Sequence, residues 1–400
     1  MDRREFTRYV LLGSYALRVK AASAGRVVLY FVDGYHGGVR GHMPSGAWRD
    51  ILTRIGSTPE WKLCLDIEAA SWKALKNRDP QSYAKITEHL NEPSARVEMV
   101  GGTFSQPYGW ALTGESNIRQ LVRGLEVIRE SFPDLKVNTY AVQEPCWASC
   151  LPQILVSLGF DAAVLKNPST AWGGYSVGID AETVNWVGPD GTRIRTVPRY
   201  ACEELVDTWR TEAQAGSEEF AKKCIEHGIE HPAGMCFQDL GWAARPTLQG
   251  DYIRFVTWRE YMQSVAGKTT RDWRFSMEDI RCALPWGEKT LQKITRQVRS
   301  AENKLIATEK ISSLAAVCGG LDYPVAELQQ AWDQILWARH HDAWITATTR
   351  TGRDAWAFQV AAQTWEAEVA CDELIERSLD KLTGRQTADE NVLKEESVLC

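Results

Sequence analysis

The sequence predicts an α/β domain followed by a helical bundle, and three of its features lead to that prediction. A continuous apolar run at 27–32 is typical of a parallel strand buried on both faces. Strand-like and helix-like segments then alternate as far as residue 285, where we place a domain boundary. Beyond it lie three long helical patterns, at 290–318, 324–342 and 353–382, which predict a three-helix bundle.

The first unit, 25–285, begins with a strand that runs into Asp33, Gly34, Tyr35 and His36. The carboxyl end of a parallel strand is where α/β enzymes place their catalytic groups. Short apolar segments predict the later strands, and apolar residues spaced three or four apart predict the helices. In order, these are helix 46–55, strand 61–65, helices 69–75 and 83–90, strand 97–104, helix 114–131, strands 162–165, 184–187 and 194–198, helix 218–227, a strand from residue 234, and strand 253–257.

The second unit, 286–383, has apolar stripes at helical spacing. Ile294 and Val298 lie on the stripe of its first pattern, and Trp356 and Val360 lie on that of its third. These stripes predict helices that pack against one another. The polar tail at 384–400 is expected to be mobile.

Composition excludes some classes of function. At 400 residues with a net charge of -6, the chain has room for two units and lacks the basic stripe of a nucleic-acid-binding surface. Its 17 tryptophans and 12 tyrosines suit a protein that stacks on sugar rings, although most of these rings are expected in the core. Its 10 cysteines are scattered without a CxxC pair, which indicates neither a disulfide scaffold nor a zinc finger.

The first 24 residues predict export. Paired Arg3 and Arg4, an apolar stretch at 9–17 and small residues at 21–24 resemble a bacterial twin-arginine signal, which would direct the chain to the periplasm or outside the cell. The alternative is an ordinary N-terminal helix on a cytoplasmic protein. No later run approaches the roughly 20 apolar residues that a membrane span needs, so we expect no membrane partner.

One segment of the bundle carries the strongest chemical pattern. Apolar spacing through Trp332 and Ile335 leads to His340, His341 and Asp342, so one histidine should point into the interior from the end of a helix. Imidazole beside carboxylate is typical of metal ligation or acid/base chemistry. The alternative is a helix end that carries polar groups, because the helix dipole also favours histidine there.

This His-His-Asp sequence after a tryptophan-bearing helix is similar to the bundle motif of glycoside hydrolase family 38, the α-mannosidases. The helix that opens with Glu115 and Ser116 and continues to Arg119 after a strand and a double glycine also resembles the family, as does 151–155. The resemblance covers about 27–382 and implies an α/β fold with a seven-stranded (β/α) barrel-like domain followed by a three-helix bundle. Family members continue into β-sandwich domains, so we expect this chain to be a short form or a fragment.

Three departures from the family fall on candidate metal or catalytic positions. The family's H-x-D metal motif falls on Gly34, Tyr35 and His36, so that only His36 is placed to be a ligand. The family's nucleophilic aspartate falls on Gln143, and Glu144 is the nearest carboxylate. The general acid/base position falls on Gln238, which leaves Asp239 as the candidate.

The resemblance implies a retaining, metal-dependent hydrolase of α-mannosidic bonds. A divalent cation, with zinc expected, would lie among His36, His341, and Asp33 or Glu144. Glu144 would attack the anomeric carbon, and Asp239 would act as acid and then as base. A mannoside is therefore the expected partner, and its expected contacts are Tyr108, Trp110, Asp342 and Trp242.

Two other functions fit the same residues. A catalytically reduced, carbohydrate-binding relative would explain why Gly34, Gln143 and Gln238 replace functional groups. A metal hydrolase acting on a non-glycosidic bond would use His36, His341 and Asp33 as ligands. The oligomeric state has no signal in the sequence.

Overall fold

The computed structural model describes eleven stretches of the chain. The export signal predicted at 1–24, the boundary near 285, and all of the tail except Gly384 lie outside them. The described residues are 27–38, 46–92, 95–143, 146–166, 175–203, 216–239, 250–269, 271–274, 279–281, 289–345 and 355–384.

Short strands lie along the described part of 25–285, and several coincide with the predicted apolar segments. Most are short, and the first is the longest. They are β1 (Leu29–Gly37), β2 (Leu63–Ile67), β3 (Val97–Met99), β4 (Thr139–Tyr140), β5 (Ala162–Val164), β6 (Tyr175–Ser176), β7 (Val184–Val187), β8 (Arg193–Val197), β9 (Ala233–Asp239), β10 (Ile253–Phe255), β11 (Asp272–Trp273) and β12 (Ile280–Arg281).

The strands form two main sheets that meet at one edge. In the first, β1 pairs in parallel with β2, β9 and β10, and β2 pairs with β3. The second has the order β11-β7-β8-β5-β4, and β12 pairs with β6. The Gly101 N–H donates to the Thr139 carbonyl at 3.2 Å, which joins the end of β3 to β4. The strands of the first sheet are therefore parallel, with their carboxyl ends in the same direction, whereas β7 and β8 of the second sheet are antiparallel.

Helices follow most of the strands, and several begin at a polar capping side chain. Asp79, Thr113 and Ser217 each accept a hydrogen bond from a backbone N–H of the first turn. The helices are α1 (Ala47–Ser57), α2 (Ala69–Arg78), α3 (Pro80–Asn91), α4 (Gly114–Ser131), α5 (Leu151–Ser157), α6 (Glu218–Glu226), α7 (Trp258–Glu260), α8 (Lys289–Gly319), α9 (Val325–Trp337), α10 (His341–Ile345) and α11 (Trp356–Thr383). The mixed α/β class is confirmed.

One predicted helix in the C-terminal part of the chain differs from the structure. The helix expected over 324–342 ends at Trp337, and a short helix begins at His341. Between them, His340 forms an isolated antiparallel bridge with Pro107. His340 and His341 therefore lie at a break between two helices rather than on the end of one, and backbone pairing with the first unit accounts for the break.

No helix in the described part of the chain is long and apolar enough to cross a membrane.

A buried ion pair links two C-terminal helical segments, and its carboxylate also contacts the start of α4. Arg339, in the break after α9, pairs with Glu302 of α8, and both side chains are fully buried. Glu302 also accepts hydrogen bonds from the hydroxyls of Thr113 and Ser116 at the start of α4. The Glu302 carboxylate thus connects α8 and the segment after α9 to the start of α4. In these buried surroundings of low dielectric, an unpaired charge is strongly destabilising.

We expect Glu302→Gln to lower the free energy of unfolding by about 3–5 kcal/mol, because it leaves the Arg339 cation buried without a counter-charge. Urea denaturation followed by circular dichroism measures the change. The matched control is Glu327→Gln, whose partner Arg377 lies at 2.9 Å on the surface, with side chains 47% and 51% exposed. That control should change stability by less than about 1 kcal/mol. Equal losses in the two variants would contradict a dominant role for the buried pair.

Candidate active site

Strand β1 presents its residues alternately to two faces, and this separates two of the predicted ligands. The Asp33 carboxylate accepts hydrogen bonds from Trp61 Nε1 at 2.9 Å and from the Gly34 N–H at 3.0 Å. Because side chains alternate along a strand, Asp33 faces Trp61 while His36 faces the opposite side. The structure therefore does not bring Asp33 together with His36.

Acidic residues flank His36 on both neighbouring strands. In parallel register, His36 lies beside Asp66 of β2 and beside Asp239 of β9. Residues in register on adjacent strands share a face, so the Asp66 carboxylate lies on the His36 side of the sheet. The backbone of Asp239, the predicted acid/base, is at this edge, and its side chain is outside the described part of the structure.

Gln106 connects the strands to the bundle. Its side-chain oxygen accepts from the Gly37 N–H at 3.1 Å, and its side-chain amide donates to the Asp66 carbonyl. Its own carbonyl accepts from the ring Nδ1 of His341 at 2.7 Å. Gln106 has a φ of 53°, which is uncommon for a residue with a side chain.

His341 is held as a neutral ring that is suited to bind a cation. Because its Nδ1 carries the proton that is donated to Gln106, its Nε2 presents a lone pair. Burial lowers the pKa of His341 to about 3, since the charged form would lose its hydration. The ring therefore stays neutral at physiological pH, which is the form that coordinates metals.

His340 is occupied by protein partners. Its Nδ1 accepts from the Asp342 N–H at 3.1 Å, so its Nε2 carries the proton that is donated to Glu68 at 2.7 Å. The other oxygen of Glu68 accepts from the Ser71 hydroxyl. His340 also stacks on the Trp356 ring, with centroids 4.8 Å apart. These contacts favour a positioning role for His340, beneath the His341 ring that it stacks against at 4.3 Å.

Asp342 lies between the two imidazoles. Its Oδ2 is 3.5 Å from His340 Nδ1 and 3.8 Å from His341 Nε2. Among the described residues, possible ligand atoms of His340, His341 and Asp342 all lie within 4.8 Å of one another. Imidazole nitrogen with carboxylate oxygen is a donor set that zinc accepts, so His341 and Asp342 fit a divalent cation, whereas both His340 nitrogens already have protein partners.

The structure brings the predicted residues His36, His341 and Tyr108 together. The ring centroids of His36 and His341 are 5.9 Å apart, and those of Tyr108 and His341 are 6.2 Å apart. Tyr108 is buried and stacks on Trp110, which is partly exposed. Two imidazoles that are far apart in the sequence thus lie close together.

Two departures from the family pattern are packed into the same place. A Cβ added at Gly34 would lie 2.4 Å from the Phe237 ring and 2.5 Å from the Cys64 carbonyl oxygen, so a side chain has no room there. Gln143 is buried, and its side-chain oxygen accepts from the Phe237 N–H at 3.1 Å. The residue after it, Glu144, lies outside the described residues, as does Trp242.

Sequence reasoning did not assign site roles to Gln106, Asp66 and Glu68. Asp66 and Glu68 are two acids that follow the predicted strand 61–65. The available signal was their position directly after the second strand, on the edge where the first strand ends. For Gln106, the adjacent proline indicated a constrained loop but gave no partner.

Asp66 gives the site a measurable pH dependence. Burial raises its pKa from 3.8 to about 6, although the hydrogen bond from the Gln143 N–H at 3.0 Å opposes the shift. Between these pKa values the folded state holds a proton that the unfolded state has released. The raised pKa therefore reduces stability as the pH rises through that window, and the full penalty is present above it.

Asp66→Asn should remove this penalty and stabilise the protein more at about pH 7.5 than at about pH 4.5, by up to about 2 kcal/mol. Denaturation of chelator-treated protein at both pH values measures the difference. Asp79→Asn is a control of opposite sign, because hydrogen bonds from Ser82 lower the pKa of Asp79. A gain for Asp66→Asn that does not depend on pH would contradict the burial of a charge.

Solved structures share this fold. An alpha-mannosidase from Enterococcus faecalis V583 is 14% identical, with a TM-score of 0.58 over 89% of this chain and 42% of that one. A family 38 glycosyl hydrolase from Enterococcus faecalis has 14% identity and a TM-score of 0.55 over 90% of this chain and 41% of that one. A GH57 branching enzyme from Thermococcus kodakaraensis has 10% identity and a TM-score of 0.54 over 90% and 94%.

This chain therefore spans about two fifths of the length of the first two structures. No curated protein matches the sequence. The family model described as the glycosyl hydrolases family 38 N-terminal domain matches residues 47–274, which is more than half of the chain. With the alternating strands and helices and the convergent histidines, this match shows that the chain belongs to glycosyl hydrolase family 38.

Proposed function

We propose that the protein is a metal-dependent, retaining glycoside hydrolase that acts on α-mannosidic bonds. The observation that carries the proposal is the meeting of His36 and His341, whose rings come from separate units, with His341 in the tautomer that presents Nε2. The proposal includes a seven-stranded (β/α) barrel-like domain over 25–285 and a three-helix bundle over 286–383. It also includes export directed by residues 1–24, with a cytoplasmic location as the alternative.

The proposed cation ligands are His36, His341, Asp342 and Glu144. Asp33 leaves the set, because its carboxylate is bonded to Trp61 on the other face of β1. A divalent cation such as zinc supplies Lewis-acid stabilisation and orients vicinal sugar hydroxyls when it is bound. The carbonyl of Gln106 fixes the His341 ring for that role, as second-layer hydrogen bonds do in other metal sites.

The chemistry assigned to the chain uses two carboxyl groups. A Glu144 oxygen forms a bond to the anomeric carbon while Asp239 gives its proton to the departing glycosidic oxygen. Asp239 then takes a proton from water, whose oxygen bonds to the anomeric carbon and releases Glu144. The carboxyl oxygens of a retaining pair are about 5–5.5 Å apart, and Asp239 lies beside His36 in register, at the edge where Gln143 leads to Glu144.

A second function is favoured by the packing of Gly34 and Gln143. The Phe237 ring fills the space that a side chain at position 34 would need. The Phe237 N–H donates a hydrogen bond to the side-chain oxygen of Gln143. A catalytically reduced protein that still binds mannosides would have this arrangement, because it needs the cleft but not the nucleophile. Hydrolysis and binding must therefore be measured separately.

We expect the protein to release nitrophenol from an aryl α-mannoside, and Glu144→Gln to reduce kcat by at least about 1,000-fold, because an amide cannot form the glycosyl-enzyme bond. Glu126→Gln makes the same chemical change on an exposed carboxylate of α4 and should leave kcat unchanged. If calorimetry shows that methyl α-mannoside binds while a panel of aryl glycosides gives no turnover, the protein is the binding relative and not the enzyme.

His341→Ala should remove a stoichiometric cation, which elemental analysis of purified protein measures, together with zinc titration by calorimetry. We expect affinity to fall at least about 100-fold, since a ligand of the inner sphere is lost. His227→Ala removes an exposed imidazole that pairs with Asp180 and should leave the stoichiometry unchanged. Wild-type protein that holds no cation after loading with zinc would overturn the metal proposal whatever its activity.

A further inference from the structure

Two cysteines outside the candidate active site lie close enough to react with each other. The sulfur atoms of Cys202 and Cys224 are 3.6 Å apart, and the residues are separated by 22 positions. Cys202 follows β8, and Cys224 lies on α6. A disulfide has an S–S distance of about 2.05 Å, so the sulfurs would need to approach by about 1.5 Å. At 3.6 Å the two sulfur atoms are already in van der Waals contact.

The two thiols are not equivalent. Cys224 is fully buried, whereas Cys202 retains 5% exposure beside the exposed Ala201. A hydrogen bond from the Cys224 thiol lowers the pKa of Cys202, and the Lys166 cation favours the thiolate as well. The same bond and burial raise the pKa of Cys224. Cys202 is therefore the sulfur that ionises first and meets a reagent first.

The surroundings hold the pair in place. The Lys166 ammonium pairs with Glu203 and lies 3.5 Å from the centroid of the Tyr200 ring. Tyr200 in turn stacks on Phe220 of α6, with centroids 6.5 Å apart. The segment that carries Cys202 is thus packed against the helix that carries Cys224, so the approach of the sulfurs needs no large rearrangement of the backbone.

We propose that Cys202 and Cys224 form a dithiol site that low-molecular-weight disulfides oxidise to an intramolecular disulfide. The Cys202 thiolate attacks one sulfur of the reagent and releases the other half as a thiolate. Cys224 then loses its proton and attacks the Cys202 sulfur of the mixed disulfide, which releases the second half. One reagent disulfide is reduced to two thiols, and two protein thiols are oxidised to one disulfide.

The disulfide would change the stability of the first unit. It would close a covalent loop from β8 to α6 and so restrict the unfolded chain. The site is independent of the proposed glycosidase chemistry, because none of the residues assigned to that chemistry takes part. Oxidation is therefore expected to raise the melting temperature without requiring a bound sugar or cation.

The test treats native, full-length protein with excess glutathione disulfide, blocks the remaining thiols with an alkylating reagent, and maps tryptic peptides by mass spectrometry. Cleavage at lysine and arginine places Cys202 in peptide 200–210 and Cys224 in peptide 224–254, which also contains Cys236. We expect these peptides to be linked, fragmentation to assign the link to Cys224, and the melting temperature to rise by roughly 3 °C.

Cys202→Ser and Cys224→Ser should each abolish the linked peptide and the rise in melting temperature. Cys150→Ser is the matched control and should retain both, because partial burial raises the pKa of Cys150 and it lies on another segment. Free or glutathione-bearing Cys202 without a link in oxidised wild-type protein would overturn the proposal, and so would a link to Cys236. If a serine variant fails to fold, the peptide map of oxidised wild-type protein still tests the proposal.

Discussion

The arrangement of the site depends on the hydrogen bonds of one residue, Gln106. Its side chain joins the end of β1 at Gly37 to the end of β2 at Asp66, and its carbonyl holds the His341 ring of the bundle. A positive φ in a residue with a side chain costs about 1–3 kcal/mol, and these buried bonds offset it. The strained backbone of Gln106 directs its carbonyl toward His341. The strain at Gln106 and the tautomer of His341 are therefore linked.

Through these contacts, residues of the strands and residues of the C-terminal helices form the site together. His36 comes from β1 and His341 from α10, and their ring centroids lie 5.9 Å apart. Two further pairs have fully buried members. Glu68–His340 joins the residue after β2 to the break after α9, and Glu302–Arg339 joins α8 to the same break. Because replacing such a pair by apolar side chains is often neutral for stability, we infer that these pairs serve mainly to define the geometry. The contacts that orient the imidazoles therefore also define the position of the C-terminal helices relative to the strands.

The sequence predicted what depends on periodicity and failed where a single residue decides the face or the boundary. The buried run of β1 and the stripes of α8 and α11 are signals that extend over many residues. Asp33 was misplaced because adjacent residues of a strand point to opposite faces, and no pattern in the loop indicates which one faces the site. The break after Trp337 was missed because the apolar spacing continues through it, and its cause is a tertiary bridge to Pro107.

The two departures from the family pattern share one neighbour, and this distinguishes them. At Gly34 the Phe237 ring and the Cys64 carbonyl oxygen of β2 occupy the position of a side chain, so a larger residue there requires both to move. At Gln143, Phe237 contributes only a backbone N–H. A carboxylate at position 143 would accept this hydrogen bond as readily as the amide oxygen does. What a carboxylate would add is a second charge beside Asp66, whose Oδ2 already accepts from the Gln143 backbone. Packing therefore fixes the glycine, whereas electrostatics favours the glutamine as long as Asp66 remains buried next to it.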